Sequence, residues 1–163
     1  MAVVILGGIF FWIVIPFLII LLSPYFDALF HFPCFIYGLV NRTVALVFMI
    51  GGWLFANWTV KVQYSIGKGT PVPLVATQKL IMKKPYTYCR NPMALGTSVF
   101  YLGIAVWMGS ISALGLGLAY PVGISIYNRF VEEKELGERF GPEYLEYKRR
   151  TPFIIPSFRR KPS

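Results

Sequence analysis

Charge is what this chain has least of. Only 14% of its 163 residues are Asp, Glu, Lys or Arg, against 56% hydrophobic residues. That balance excludes an ordinary soluble domain, which has no use for so much apolar surface. Histidine occurs once, as His31, and cysteine twice, as Cys34 and Cys89. With no CxxC pair and no histidine cluster, no metal site is expected. Acidic residues number seven against sixteen basic ones, a net charge of +9. Excess Lys and Arg flanking apolar runs is accounted for by membrane topology and anionic lipid headgroups, so no nucleic-acid partner is expected.

Three stretches have no charge at all: Met1–Leu22, Thr43–Val60 and Met93–Asn128. About 20 apolar residues cross a bilayer core, so these are read as membrane spans. The first lacks the basic start and small-residue cleavage pattern of a signal peptide. The third runs for 36 residues, roughly 54 Å as one helix against a core of about 30 Å. It must therefore be two helices, with the turn at Gly109-Ser110-Ile111-Ser112. The expected fold is an all-α membrane protein of about four spans, 3–22, 43–62, 92–108 and 112–130, with spans 3 and 4 forming a tight helical hairpin. A single integral membrane domain would cover residues 1–163.

Fifteen of the sixteen basic residues fall in 61–90 or 129–163. Both regions should face the cytoplasm, with both termini on that side. Segment 61–91 is then a cytoplasmic loop and 129–163 a cytoplasmic helical tail. Loop 23–42 faces outward, and its apolar part, Ala28–Leu39, is read as interfacial or re-entrant. Cys34 and Cys89 fall on opposite sides and cannot pair. Gly141 should end the helix leaving the last span and Pro142 start another. Gly115, Ala119 and Gly123 share a helix face, as do Gly52 and Ala56, and both sets suit close helix packing.

The stretch YCRNPMALG carries the first sign of chemistry. Asn91 is a favourable N-cap and Pro92 fits the first helical position. A helix N-terminus attracts anions, and Arg90 adds a full charge able to grip a carboxylate. The same arginine could instead reach lipid phosphates. Six of the seven acidic residues lie between Glu132 and Glu146. Glu132 and Glu133 stand where the last span leaves the bilayer, either as a solvated patch or as partners of a cation. A ligand bearing both carboxylate and ammonium would satisfy Arg90 and a glutamate together. Adjacent helical residues point about 100° apart, so one glutamate should dominate. Glu133 is favoured, because Arg129 lies four residues before it and could orient it.

PYTYCRNPMALG, followed some forty residues later by EEKELGERFGPEYLEYKRRTPFIIP, resembles the isoprenylcysteine carboxyl methyltransferase and phospholipid methyltransferase superfamily of integral membrane enzymes. The resemblance covers about residues 64–156, with Ala94 where a tyrosine is common. It implies S-adenosyl-L-methionine as methyl donor. It further implies that Gly67, Gly69, Glu132 and Glu133 bind that cofactor, and that Arg90, Asn91 and Pro92 form the motif beside it. Arg90 and Glu133 become the pair expected to carry the chemistry. Tyr86 and Tyr88 fit either adenosine contact or a membrane-interface belt. Arg149 and Arg150 fit an anionic substrate headgroup or lipid phosphate.

The function expected is methyl transfer to a lipid-like or prenylated acceptor at the membrane–cytoplasm interface, with membrane lipids as surroundings. In-line displacement needs alignment and water exclusion. A carboxylate nucleophile needs no base, which leans toward carboxyl methylation of a prenylcysteine-type substrate. The alternative is N-methylation of a phospholipid amine. Rivals from other classes are a non-enzymatic small membrane protein and a nicotinamide-dependent reductase.

Overall fold

The computed structural model describes residues 2–35, 38–67 and 78–156, and all its regular elements among them are helical. Helix α1 (Ala2–Ile9) runs through a π turn at Phe10–Val14 into α2 (Ile15–Leu29). Helix α3 (Leu39–Val62) ends in a second π turn at Gln63–Gly67. Helices α4 (Pro92–Met108) and α5 (Ile111–Tyr127) form a hairpin. A third π turn, Asn128–Glu132, leads into α6 (Glu133–Arg150).

Among the described residues three stretches are long and apolar enough to cross a membrane: Leu6–Leu29, Leu39–Gly67 and Ile111–Arg150. Helix α4 is apolar but has 17 residues, about 25 Å at 1.5 Å per residue. Large apolar side chains such as Leu6, Phe17, Val47 and Val122 are exposed on the outside, where lipid rather than water is their natural neighbour.

The helices alternate in direction. At one end Phe35 N–H donates to the Gly109 carbonyl at 3.0 Å, and the Asn41 amide donates to the Phe35 and Val106 carbonyls. Asp27 accepts from the Ser112 N–H at 2.9 Å, placing a carboxylate at the N-terminus of α5, where the helix dipole favours it. This contact helps explain why α2 continues to Leu29, seven residues past the expected end of the first span. At the opposite end Gln63, Pro92 and Asn128 border one cavity.

The hairpin turn is as short as its residues allow. Gly109 takes the left-handed conformation (φ 63°, ψ 31°) that ends α4, and the Ser110 hydroxyl accepts from Ala113 N–H to start α5. The turn in the tail also falls at the glycine: Gly141, at φ 53° and ψ −129°, breaks α6 immediately before Pro142. Between Phe30 and Phe35 the chain is irregular.

One π turn has a visible cause. Ile15 N–H donates to the Phe10 carbonyl, and the next donor in that register belongs to Pro16, which has none. The orphaned Phe11 carbonyl is met by the buried Tyr101 hydroxyl at 2.7 Å. An unpaired carbonyl in lipid would cost several kcal/mol.

Helices α3 and α4 touch at backbone distance. A Cβ on Gly52 would come within 2.6 Å of the Gly96 carbonyl and Phe100 nitrogen, and one on Gly96 within 2.7 Å of the Ala56 nitrogen. Gly52 and Ala56 thus pack as their spacing suggests. The face of Gly115, Ala119 and Gly123 does not: added Cβ atoms on Gly115 and Gly123 meet nothing within 4 Å, and Gly117 instead faces the Tyr101 backbone. Helix α5 presents that small-residue face outward because α4 and α2 pack on its other side. Gly52→Ala should therefore lower thermal stability in detergent by about 1–3 kcal/mol, while Gly123→Ala leaves it unchanged; equal melting of the two variants would contradict the packing argument.

Candidate functional site

The cavity at the α4 N-terminus holds about 900 Å³ of empty space including its open mouth. Its lining combines the polar Arg90, Asn91, Asn128, Glu132 and Glu133 with the largely apolar Phe11, Met93, Ala94, Tyr120 and Ile124 of the membrane helices. Gln63, Lys79, Tyr86, Tyr144 and Tyr147 also line it.

Arg90 is held on several sides. Its guanidinium pairs with Glu133 Oε1 and lies 5.4 Å over the Phe153 ring. Its N–H donates to the Pro152 carbonyl at 2.9 Å, and the Asn91 N–H to the Phe153 carbonyl at 3.1 Å. The segment after α6 thus returns to pair with the motif that precedes α4. Tyr147 locks the same region, its hydroxyl donating to the Tyr86 carbonyl at 2.8 Å. The Arg90 Nε is buried with no hydrogen-bond partner.

The two glutamates are not equivalent. Glu133 is buried and fully compensated: Arg90 takes Oε1, and Lys148 Nζ lies 2.6 Å from Oε2. These cations replace the Arg129 expected from i,i+4 spacing; Arg129 is exposed on the outer surface of the helix. Glu132 meets no cation within ion-pairing distance among the described residues. Burial, followed by Glu135 and Glu133, pushes its carboxyl up to about 7. The Asn128 amide nitrogen donates to Asn91 Oδ1 at 2.8 Å in one orientation, and turned over it donates instead to Glu132 Oε2 at 3.0 Å.

Asn91 therefore precedes α4 without capping it through its side chain. The side chain is spent on Asn128 and the Phe153 carbonyl. Tyr86 lines the cavity and donates to Gln63 Oε1 at 3.1 Å, and burial raises its pKa so that it stays a donor. Tyr88 lies off the cavity, under the Lys84 ammonium. Gly67 is buried at the end of its π turn, its carbonyl accepting from Gln78 N–H, and does not line the cavity. Gly69 lies outside the described residues. Arg149 and Arg150 are exposed at the end of α6, away from the cavity, and Arg150 pairs with Glu146.

Sequence reasoning missed Lys148, Asn128, Tyr144 and Tyr147. The spacing of Asn128 and Glu132, four residues apart where the last apolar run ends, was an available signal for a shared face. Lys148 reaches Glu133 only because the chain turns at Gly141, which no helical spacing reveals.

The comparisons agree with this architecture. The chain matches the phospholipid methyltransferase family over residues 40–143 and belongs to it; that family is part of the isoprenylcysteine carboxyl methyltransferase-like superfamily of membrane methyltransferases. A curated relative, the cobalt-zinc-cadmium resistance protein CzcN of Cupriavidus metallidurans, is 34% identical over 82 residues, 47% of this chain. The chain covers about a third of that relative's length, 35%. No solved structure matches.

The residues present fit the cofactor of such enzymes. An orphaned buried guanidinium nitrogen and a half-buried carboxylate without a cation within ion-pairing distance among the described residues complement a group that is both anionic and cationic. The unequal surroundings of the glutamates make a stability prediction. Glu133→Gln leaves Arg90 and Lys148 without their shared anion and should cost about 3 kcal/mol. Glu132 behaves oppositely: the folded chain keeps its proton up to about pH 7, against 4.5 for a free carboxyl. The folded state then holds more protons between those values, so stability falls as pH rises from about 4.5 to 7. Glu132→Gln should abolish that fall, and thermal melts of the two variants across pH check both statements; similar melting profiles would sink the distinction.

Proposed function

We propose that this chain is a methyltransferase that takes the methyl group from S-adenosyl-L-methionine and gives it to a lipid-like acceptor at the membrane surface. The observation that carries the reading is the cavity itself. Its wall carries opposite charges, Arg90 and Glu132, together with apolar residues of the membrane helices. Family membership supports the same reading.

In this reading Arg90, through its unpartnered Nε, binds the carboxylate of the methionine moiety. Glu132 binds the ammonium, a change from the Glu133 favoured by sequence. Glu133 holds Arg90 in place. Tyr86 and Gln63 border the space left for the nucleoside. The cofactor supplies a methyl group made electrophilic by its sulfonium. The apolar wall of Phe11, Ala94, Tyr120 and Ile124 seats the acceptor chain and keeps water from the reacting centre. In the whole arrangement α4 is a fourth span of one membrane-embedded unit, and the cavity end faces the cytoplasm.

The acceptor is read as a prenylcysteine-type carboxylate, which attacks as the free anion. A second reading, a phospholipid amine, is favoured by one observation: the family model matched over residues 40–143 is that of the phospholipid methyltransferases. Incubation with radiolabelled cofactor separates the two. A methyl ester releases volatile methanol in base, whereas a methylamine does not; no label in either acceptor would sink the enzymatic reading and favour a non-enzymatic membrane protein.

Calorimetric titration of the purified protein should detect S-adenosyl-L-methionine and not NADPH. Arg90→Ala should weaken cofactor binding about 10–150-fold; unchanged affinity would make Arg90 a lipid anchor. The orientation is checked with Cys34, which is exposed. A membrane-impermeant thiol reagent should label it only from the non-cytoplasmic side of sealed vesicles, and labelling from the cytoplasm would invert the topology.

A further inference from the structure

The charges around Arg90 form an uneven set. Arg90 and Lys148 contribute two positive charges, and Glu133 one negative charge shared between them. Glu132 stands beside this trio with its own charge uncompensated among the described residues. A single Arg–Glu pair would be neutral and leave no positive charge beside Arg90 itself, with Lys79 the other cation of the cavity wall. The extra ammonium of Lys148 changes the sum. It leaves the trio with one net positive charge facing one negative charge, the complement of a zwitterion.

We propose that Lys148 is a positioning residue that makes this cavity select a zwitterionic amino-acid group: by taking Glu133 Oε2, it keeps the Arg90 guanidinium from being neutralised. The proposal rests on the cofactor reading above and goes beyond it in assigning a role to a residue that itself does not line the cavity. The geometry supports that role. Glu133 has a buried side chain, 7% exposed, whereas Lys148 is 42% exposed and approaches from the far side of the Gly141 turn. Two further groups lie close to Glu133: the Tyr144 hydroxyl, which stays protonated with its pKa pushed up to about 12, and the adjacent Glu132. Neither supplies positive charge, and Lys79 of the same cavity wall makes no ion pair with Glu133, so Lys148 has no substitute among them.

The test compares two ligands on three proteins by calorimetry. S-adenosylhomocysteine carries the zwitterion, while methylthioadenosine has the same nucleoside and thioether without it. Lys148→Met should weaken S-adenosylhomocysteine about three- to tenfold and leave methylthioadenosine unchanged. Lys148→Arg should restore the wild-type ratio. Unchanged S-adenosylhomocysteine affinity in Lys148→Met would overturn the proposal, as would an equal loss for both ligands, which would mark a merely structural lysine. Wild-type protein that binds neither ligand would instead overturn the cofactor reading itself.

Discussion

The Glu133 carboxylate, shared between Arg90 and Lys148, is the interaction on which the rest of the site depends. A buried carboxylate is costly alone, and two cations on its two oxygens offset that cost. The sharing links parts of the chain that are far apart in sequence: the motif before α4, the start of α6 and the far side of the Gly141 turn. Pro152 and Phe153 then add backbone hydrogen bonds to Arg90 and Asn91. The tail is consequently a wall of the cavity rather than an appendage of the last helix.

The membrane sets the other constraint. Helices in lipid gain little from burying apolar surface against each other, so close backbone packing has to hold them. Gly52, Gly96 and Gly103 provide it between α3 and α4, where any side chain would strike backbone. That contact fixes the α4 N-terminus against the end of α3. Gln63 and Arg90 can then border one cavity. The Tyr101 hydroxyl on the Phe11 carbonyl ties the first helix to the same pair, bringing Phe11 to the cavity wall.

Much of this was legible in the sequence because it depends on local chemistry. Uncharged runs announced the helices, Gly109 and Ser110 the hairpin turn, and Gly141-Pro142 the break in the tail. Long ordered motifs identified the superfamily. Arg90 and the two glutamates, singled out in the sequence for a shared ligand, line one cavity although Arg90 and Glu133 are 43 residues apart. What failed depended on tertiary geometry. Two adjacent glutamates look alike in sequence, and only the folded-back tail decides that Glu133 is compensated and Glu132 is not. The Gly115, Ala119 and Gly123 face had the spacing of a packing surface, yet the spacing cannot say whether a partner helix stands opposite. Arg149 and Arg150 were chosen for charge, whereas the neighbouring Lys148 was passed over, because reach across a turn is not a property of spacing.

In the proposed function Glu132 is the carboxylate left open for a cationic ligand group. Binding of the ammonium to it should expel the proton that Glu132 carries below about pH 7. The direct measurement is the number of protons released when S-adenosyl-L-methionine binds, obtained by calorimetry in buffers of different ionisation enthalpy. Release of most of one proton is expected near pH 6, where the ligand amine is already protonated, and none at that pH from Glu132→Gln. Equal release by the wild type and Glu132→Gln, or none from the wild type near pH 6, would contradict it.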